Sequence, residues 1–158
     1  MKRSQIFRVI LPISRFGLAA LFLFTAGAKL WIVKAFATNV GELLAASGFN
    51  YARWRWPVAV GVIVLEVITA ALLLVPRTVR IGALIAALLL VGFAGYALYY
   101  VYVLHGEPLE CGCFGKILAS QLGVKTTLRN LALLVPALVV LCGYRRAAAT
   151  VRDCGRAK

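Results

Sequence analysis

The chain has 158 residues, 63% of them hydrophobic, and a mean hydropathy of +0.92. Those values exclude an ordinary soluble domain and leave room for a single unit. The formal charge of +13 would suggest nucleic acid in a soluble protein. Here the basic residues flank apolar runs, so bilayer topology and anionic headgroups account for them and nucleic acid is not an expected partner.

A hydrocarbon core of about 30 Å needs a helix of about 20 residues. Four stretches qualify, roughly 14–34, 57–76, 79–104 and 126–143. The sequence thus predicts an all-α integral membrane four-helix bundle with a short interfacial helix between spans one and two. Its divisions are a cytoplasmic segment at 1–13, the four-span domain at 14–143 and a basic, poorly ordered tail at 144–158.

The start, with Lys2, Arg3, an apolar run through Phe24 and Ala26-Gly27-Ala28, has the pattern of a cleavable leader. The apolar run continues through Trp31, Ile32 and Val33, longer than a leader requires, so a retained first span is expected. From Ala35 to Tyr51, Phe36, Val40, Leu43, Leu44 and Ser47 recur at helical spacing, as in a helix lying on the membrane surface, with Gly48 ending it. Tyr51, Trp54 and Trp56 suit the headgroup level, and Pro57 is placed to open span two as its first helical residue.

Pro76 closes span two, and so little chain precedes span three that the two must be antiparallel neighbours. Span three carries Gly82, Ala83, Ala86 and Ala87, small enough for close helix contact, and ends in an aromatic girdle of Tyr96, Tyr99, Tyr100 and Tyr102. A polar loop from His105 to about Lys125 follows, and span four holds Pro136, where a kink is expected.

Lys and Arg are unevenly shared between the two sides. Eleven fall at the amino terminus (Arg15 included), the link between spans two and three and the carboxyl tail; six fall in the first and third loops. Both termini are therefore expected in the cytoplasm and the third loop outside a cytoplasmic (inner) membrane.

That loop contains Cys111-Gly112-Cys113-Phe114-Gly115. Disulfides persist in an exported compartment. A bond across one glycine demands a tight turn and is strained, which makes it easier to reduce than a structural staple. Gly112 and Gly115 supply backbone freedom, and Phe114 is a candidate anchor for the turn. As an inert clip the pair would close almost no chain and stabilise little. Cys111 and Cys113 are therefore the candidate catalytic thiols, one attacking and one resolving. Capture of a soft metal is the alternative chemistry, with no Met-rich or His-rich shell to complete it, and no metal ligand is assigned. His105 reads as an interfacial residue, and Cys142 and Cys154 lie too far towards the other side to join the pair.

Lys29, Glu66 and Arg129, with Asn130 beside the last, are ionisable or polar groups inside spans. By helical rise the three charged ones lie roughly 7, 13 and 5 Å below the outer ends of their spans. Such groups need partners or a watery cavity. One reading is a Lys29–Glu66 pair that fixes packing while Arg129 reaches the surface. The other is a polar floor beneath the loop that favours a thiolate.

On these residues the chain resembles the MauE family, a branch of the DoxX-like four-helix membrane proteins. The likeness rests on Ala26-Gly27-Ala28-Lys29-Leu30, Pro57, Glu66, Cys111-Gly112-Cys113-Phe114-Gly115 and Arg129-Asn130. It implies thiol–disulfide exchange outside the cytoplasm during maturation of exported or redox proteins, in MauE's case the disulfide-rich small subunit of methylamine dehydrogenase. It also implies a thioredoxin-like or other exported redox partner, with a membrane quinone as candidate electron acceptor and no cofactor fixed by the residues. Quinone-linked disulfide enzymes use a second cysteine pair, which this chain lacks, so either the loop pair meets its acceptor directly or another subunit relays electrons. The alternative functions are a non-catalytic accessory subunit of a larger membrane redox complex and a soft-metal carrier.

Overall fold

The structure, a computed structural model, describes the backbone at residues 2–103 and 124–156, and the side chains of 9–99, 101–103 and 127–144. The described residues form helices and no strands: α1 (Lys2–Trp31), α2 (Val33–Ala46), α3 (Tyr51–Leu74), α4 (Val79–Tyr102) and α5 (Val124–Arg156). Four carry apolar stretches long enough to cross a membrane: Val9–Trp31, Tyr51–Leu74, Val79–Tyr99 and Thr127–Tyr144. The protein is a multi-pass membrane helical bundle, and the lipid bilayer is its environment.

α1 packs on α3 and α5, and α4 closes the ring by packing on the same two helices. α2 lies mainly against α3. Among the described residues, eleven of the twenty buried hydrophobics are alanines, while Leu88, Leu128 and Val135 are more than 60% exposed. Small residues inside and large ones outside are what lipid selects, because tails solvate Leu as well as a protein core does and association depends on close backbone approach. The closest approaches are at two glycines. A Cβ on Gly82 would lie 2.8 Å from the Leu73 backbone nitrogen, and one on Gly143 would meet the Leu11 side chain.

The interior divides into two apolar clusters. One, built on Leu18, Phe22, Leu73, Val79, Leu90 and Val140, fills the end where α3 turns into α4. The other, smaller, joins Ala26, Phe36, Ala37, Val40, Ala59 and Ile63 beneath α2.

Several boundaries differ from the sequence-based expectations. α1 extends back to Lys2, well before residue 14, and Arg15 is not at the aqueous edge but 7% exposed within the bundle. Pro57 does not open α3. It is the seventh helical residue, and the turns before it, from Tyr51, are on the exposed rim where the carbonyl that loses its partner can be hydrated. α3 stops at Leu74 because Pro76 drives Val75 into extended backbone (φ −91°, ψ 121°). The tail expected to be poorly ordered continues as helix to Arg156: a basic composition keeps a segment out of lipid without forbidding helix. Gly48 ends the surface helix as expected, at φ +78°, a conformation that strains any residue with a Cβ.

Candidate functional site

Between the two apolar clusters lies a seam of buried polar side chains. Lys29 comes from the last turn of α1 and Glu66 from the middle of α3. The ammonium donates to Glu66 Oε1 at 2.5 Å, and the two residues are 1% and 2% exposed. The pairing arises because α1 and α3 are packed neighbours, and because neither charge can be left alone in a low-dielectric interior.

Aromatic rings enclose the cation. Lys29 Nζ lies 5.6 Å from the Phe36 ring of α2 and 5.8 Å from the Phe93 ring of α4, within the range where a ring's negative face attracts a cation. The Thr25 hydroxyl, one turn before Lys29, donates to the Phe22 carbonyl at 3.0 Å and also faces the Glu66 carboxylate. Glu66 Oε2 is buried with no hydrogen-bond partner.

α5 brings Asn130 to the interior, 5% exposed, with its Nδ2 also buried and unpartnered. That amide nitrogen and Glu66 Oε2 are therefore not bonded to each other. Thr127, one turn earlier, directs its hydroxyl to the Ala94 carbonyl of α4 at 3.5 Å, next to Phe93. Arg129 is half-buried and makes contacts of its own. Of the polar residues singled out in the sequence, Lys29 and Glu66 are in direct contact, while Arg129 and Asn130 stand on the neighbouring helix. Cys111, Gly112, Cys113, Phe114 and Gly115, together with His105, lie outside the described residues. Cys142 is a free, exposed thiol on α5.

Two anchoring residues escaped the sequence reading. Arg15 donates from Nε to the Leu73 carbonyl at 2.5 Å, from Nη2 to the Leu74 carbonyl at 2.6 Å and from Nη1 to the Tyr144 hydroxyl at 3.1 Å. It thereby caps the carbonyl end of α3, where a cation also meets the negative pole of the helix. The signal available was Pro76, which guarantees orphan carbonyls at residues 72–74 and so a demand for a donor. Tyr96, read as part of a girdle, donates to the Leu43 carbonyl at 2.9 Å and lies 2.9 Å from Ser47 Oγ, tying the end of α2 to α4.

An all-helical bundle with four membrane-length helices and an ion pair sealed in its interior defines a polytopic membrane protein with a polar intramembrane site. A family model, Methylamine utilisation protein MauE, matches residues 7–143, and the chain belongs to the MauE family. Searches of curated proteins and of solved structures return no significant match.

Proposed function

We propose that the protein is a thiol–disulfide exchange protein of the cytoplasmic membrane, its termini inside and its Cys111/Cys113 pair outside, acting in the maturation of an exported or redox partner. The observation that carries this reading is the Cys-Gly-Cys spacing in the segment joining α4 to α5. In support, α4 ends and α5 begins towards the end of the bundle where α2 and the Lys29–Glu66 pair lie. Family membership supports the reading, and the resemblance implies the candidate partner, a disulfide-rich exported subunit.

The exchange balances without another reagent. One thiolate, Cys111 or Cys113, attacks a partner disulfide, breaking its S–S bond and forming a mixed disulfide. The second thiol then closes on the first, and the partner leaves as a dithiol with two electrons and two protons gained. The reverse direction oxidises the partner. A membrane quinone that reoxidised the pair, or a quinol that reduced it, would supply the two-electron chemistry.

Cells carrying Cys111→Ser or Cys113→Ser test the reading. One variant is expected to accumulate a covalent complex that reducing agent releases, and mass spectrometry of that complex identifies the partner. Undiminished partner maturation with both cysteines replaced would overturn it and leave an accessory subunit of a larger redox complex. An impermeant maleimide applied to intact cells after mild reduction tests the orientation, with labelling of the pair expected.

A further inference from the structure

The Lys29–Glu66 pair is covered by an element that is built differently from the spans. α2 buries only one stripe, Phe36, Ala37, Val40 and Gly41, and leaves Lys34, Thr38 and Glu42 exposed. Phe36 is the part of that stripe that reaches the buried ammonium. The seat beneath it is shallow, formed by Ala26, Ala59 and Ile63.

Both ends of α2 are breaks in the helical path. At Ile32 the backbone leaves helix geometry (φ −113°, ψ 33°), and at Gly48 it turns left-handed (φ +78°). The amino end has no side-chain cap, and the carboxyl end, closed locally by the backbone N–H groups of Ser47, Gly48 and Phe49, is tied to another helix by Tyr96 through Leu43 and Ser47. Beneath lies Glu66 Oε2, an acceptor shut away from water with nothing to accept from. A buried polar atom in that state is ordinarily served by a water molecule, so a route for water belongs to the same construction.

We infer that α2 is a hinged lid, turning at Ile32 and Gly48 and latched by Tyr96, which admits water and the protons it carries to the Glu66 carboxylate. The inference is independent of the disulfide chemistry, since it rests on residues of α1 to α4 alone. Closed, the lid holds Phe36 over Lys29 and keeps the ion pair dry. Open, it lets a water donate to Oε2 from the side of the membrane on which α2 lies.

The test uses the full chain in lipid nanodiscs, treated with a water-soluble carbodiimide and glycinamide. Conversion of Glu66 to an amide, with glycinamide or with Lys29 itself, is read by peptide mass spectrometry against the exposed Glu42 as internal standard. Tyr96→Phe removes the latch hydroxyl while keeping the ring. It should raise Glu66 conversion about fivefold, the factor that loss of roughly one net hydrogen bond gives. Gly143→Ala loosens the bundle at the α1–α5 contact away from α2 and should leave conversion within about twofold of the parent, since distant sites act independently. An unchanged rate in Tyr96→Phe, or an equal rise in both variants, overturns the lid.

Discussion

Among the described residues the bundle buries two cations, one in each half, and the two are satisfied in opposite ways. Arg15, in the larger apolar cluster, spends all three guanidinium nitrogens on fixed acceptors: two α3 carbonyls and the Tyr144 hydroxyl. Lys29, in the seam beneath α2, is neutralised by one oxygen of Glu66, and the other oxygen is left over. A completed network rigidifies, whereas an incomplete one in a low dielectric is costly and persists where something else completes it. The Arg15 end is a completed fastening, and the Lys29 end keeps an acceptor without a hydrogen-bond partner.

The largest effect expected from breaking this contrast is at the seam. Glu66→Ala leaves an uncompensated ammonium and should destabilise the protein by about 3–5 kcal/mol, seen as a lower midpoint in detergent unfolding. Replacing both partners, Lys29→Met with Glu66→Leu, should be close to neutral in stability. If the seam is functional, that double variant folds yet fails to complement a deletion strain; full complementation would reduce the pair to packing.

At the other end, Arg15→Met removes a planar fork that spans three helices and should cost about 2–3 kcal/mol. Arg15→Lys should recover less than half of it, because one ammonium cannot reproduce the fork. Unlike the seam double variant, Arg15→Met should retain complementation wherever enough protein accumulates.

The two tight glycines sharpen the comparison at smaller scale. Gly82→Ala drives a methyl into backbone at Leu73, which cannot retreat, and should cost about 1–3 kcal/mol. Gly143→Ala meets the movable tip of Leu11, and its cost should stay below about 1 kcal/mol. Thermal midpoints of the two variants, measured side by side, check the order.

Much of this architecture was legible before any coordinates. Four apolar stretches, a surface helix ending at Gly48, an antiparallel middle pair and a Lys29–Glu66 contact all follow from hydropathy, turn length and depth. What was hidden shares a physical cause. Hydropathy registers where lipid ends, not where a helix ends, so α1 and α5 run on past the apolar stretches and α3 begins before Pro57. A charge near a span end looks like an aqueous marker, so Arg15 was counted with the amino-terminal cations although its partners lie 58 and 129 residues away in sequence. Tyr96 was hidden for the same reason: an interfacial ring and a helix tie have the same side chain. The cysteine motif lies outside the described residues, and its spacing is what the functional proposal rests on.

The turn between α3 and α4 carries one more consequence. Residues 75–78 make the whole connection, Thr78 Oγ1 bonds back to the Leu72 carbonyl at 3.0 Å, and Gly82 leaves no clearance against residue 73. The two central spans are thus welded at one tip, and during biosynthesis they should enter the bilayer as a single hairpin instead of in succession. Charge reversal at Arg77 and Arg80 would then invert the pair together or stall it, never flip one leg alone.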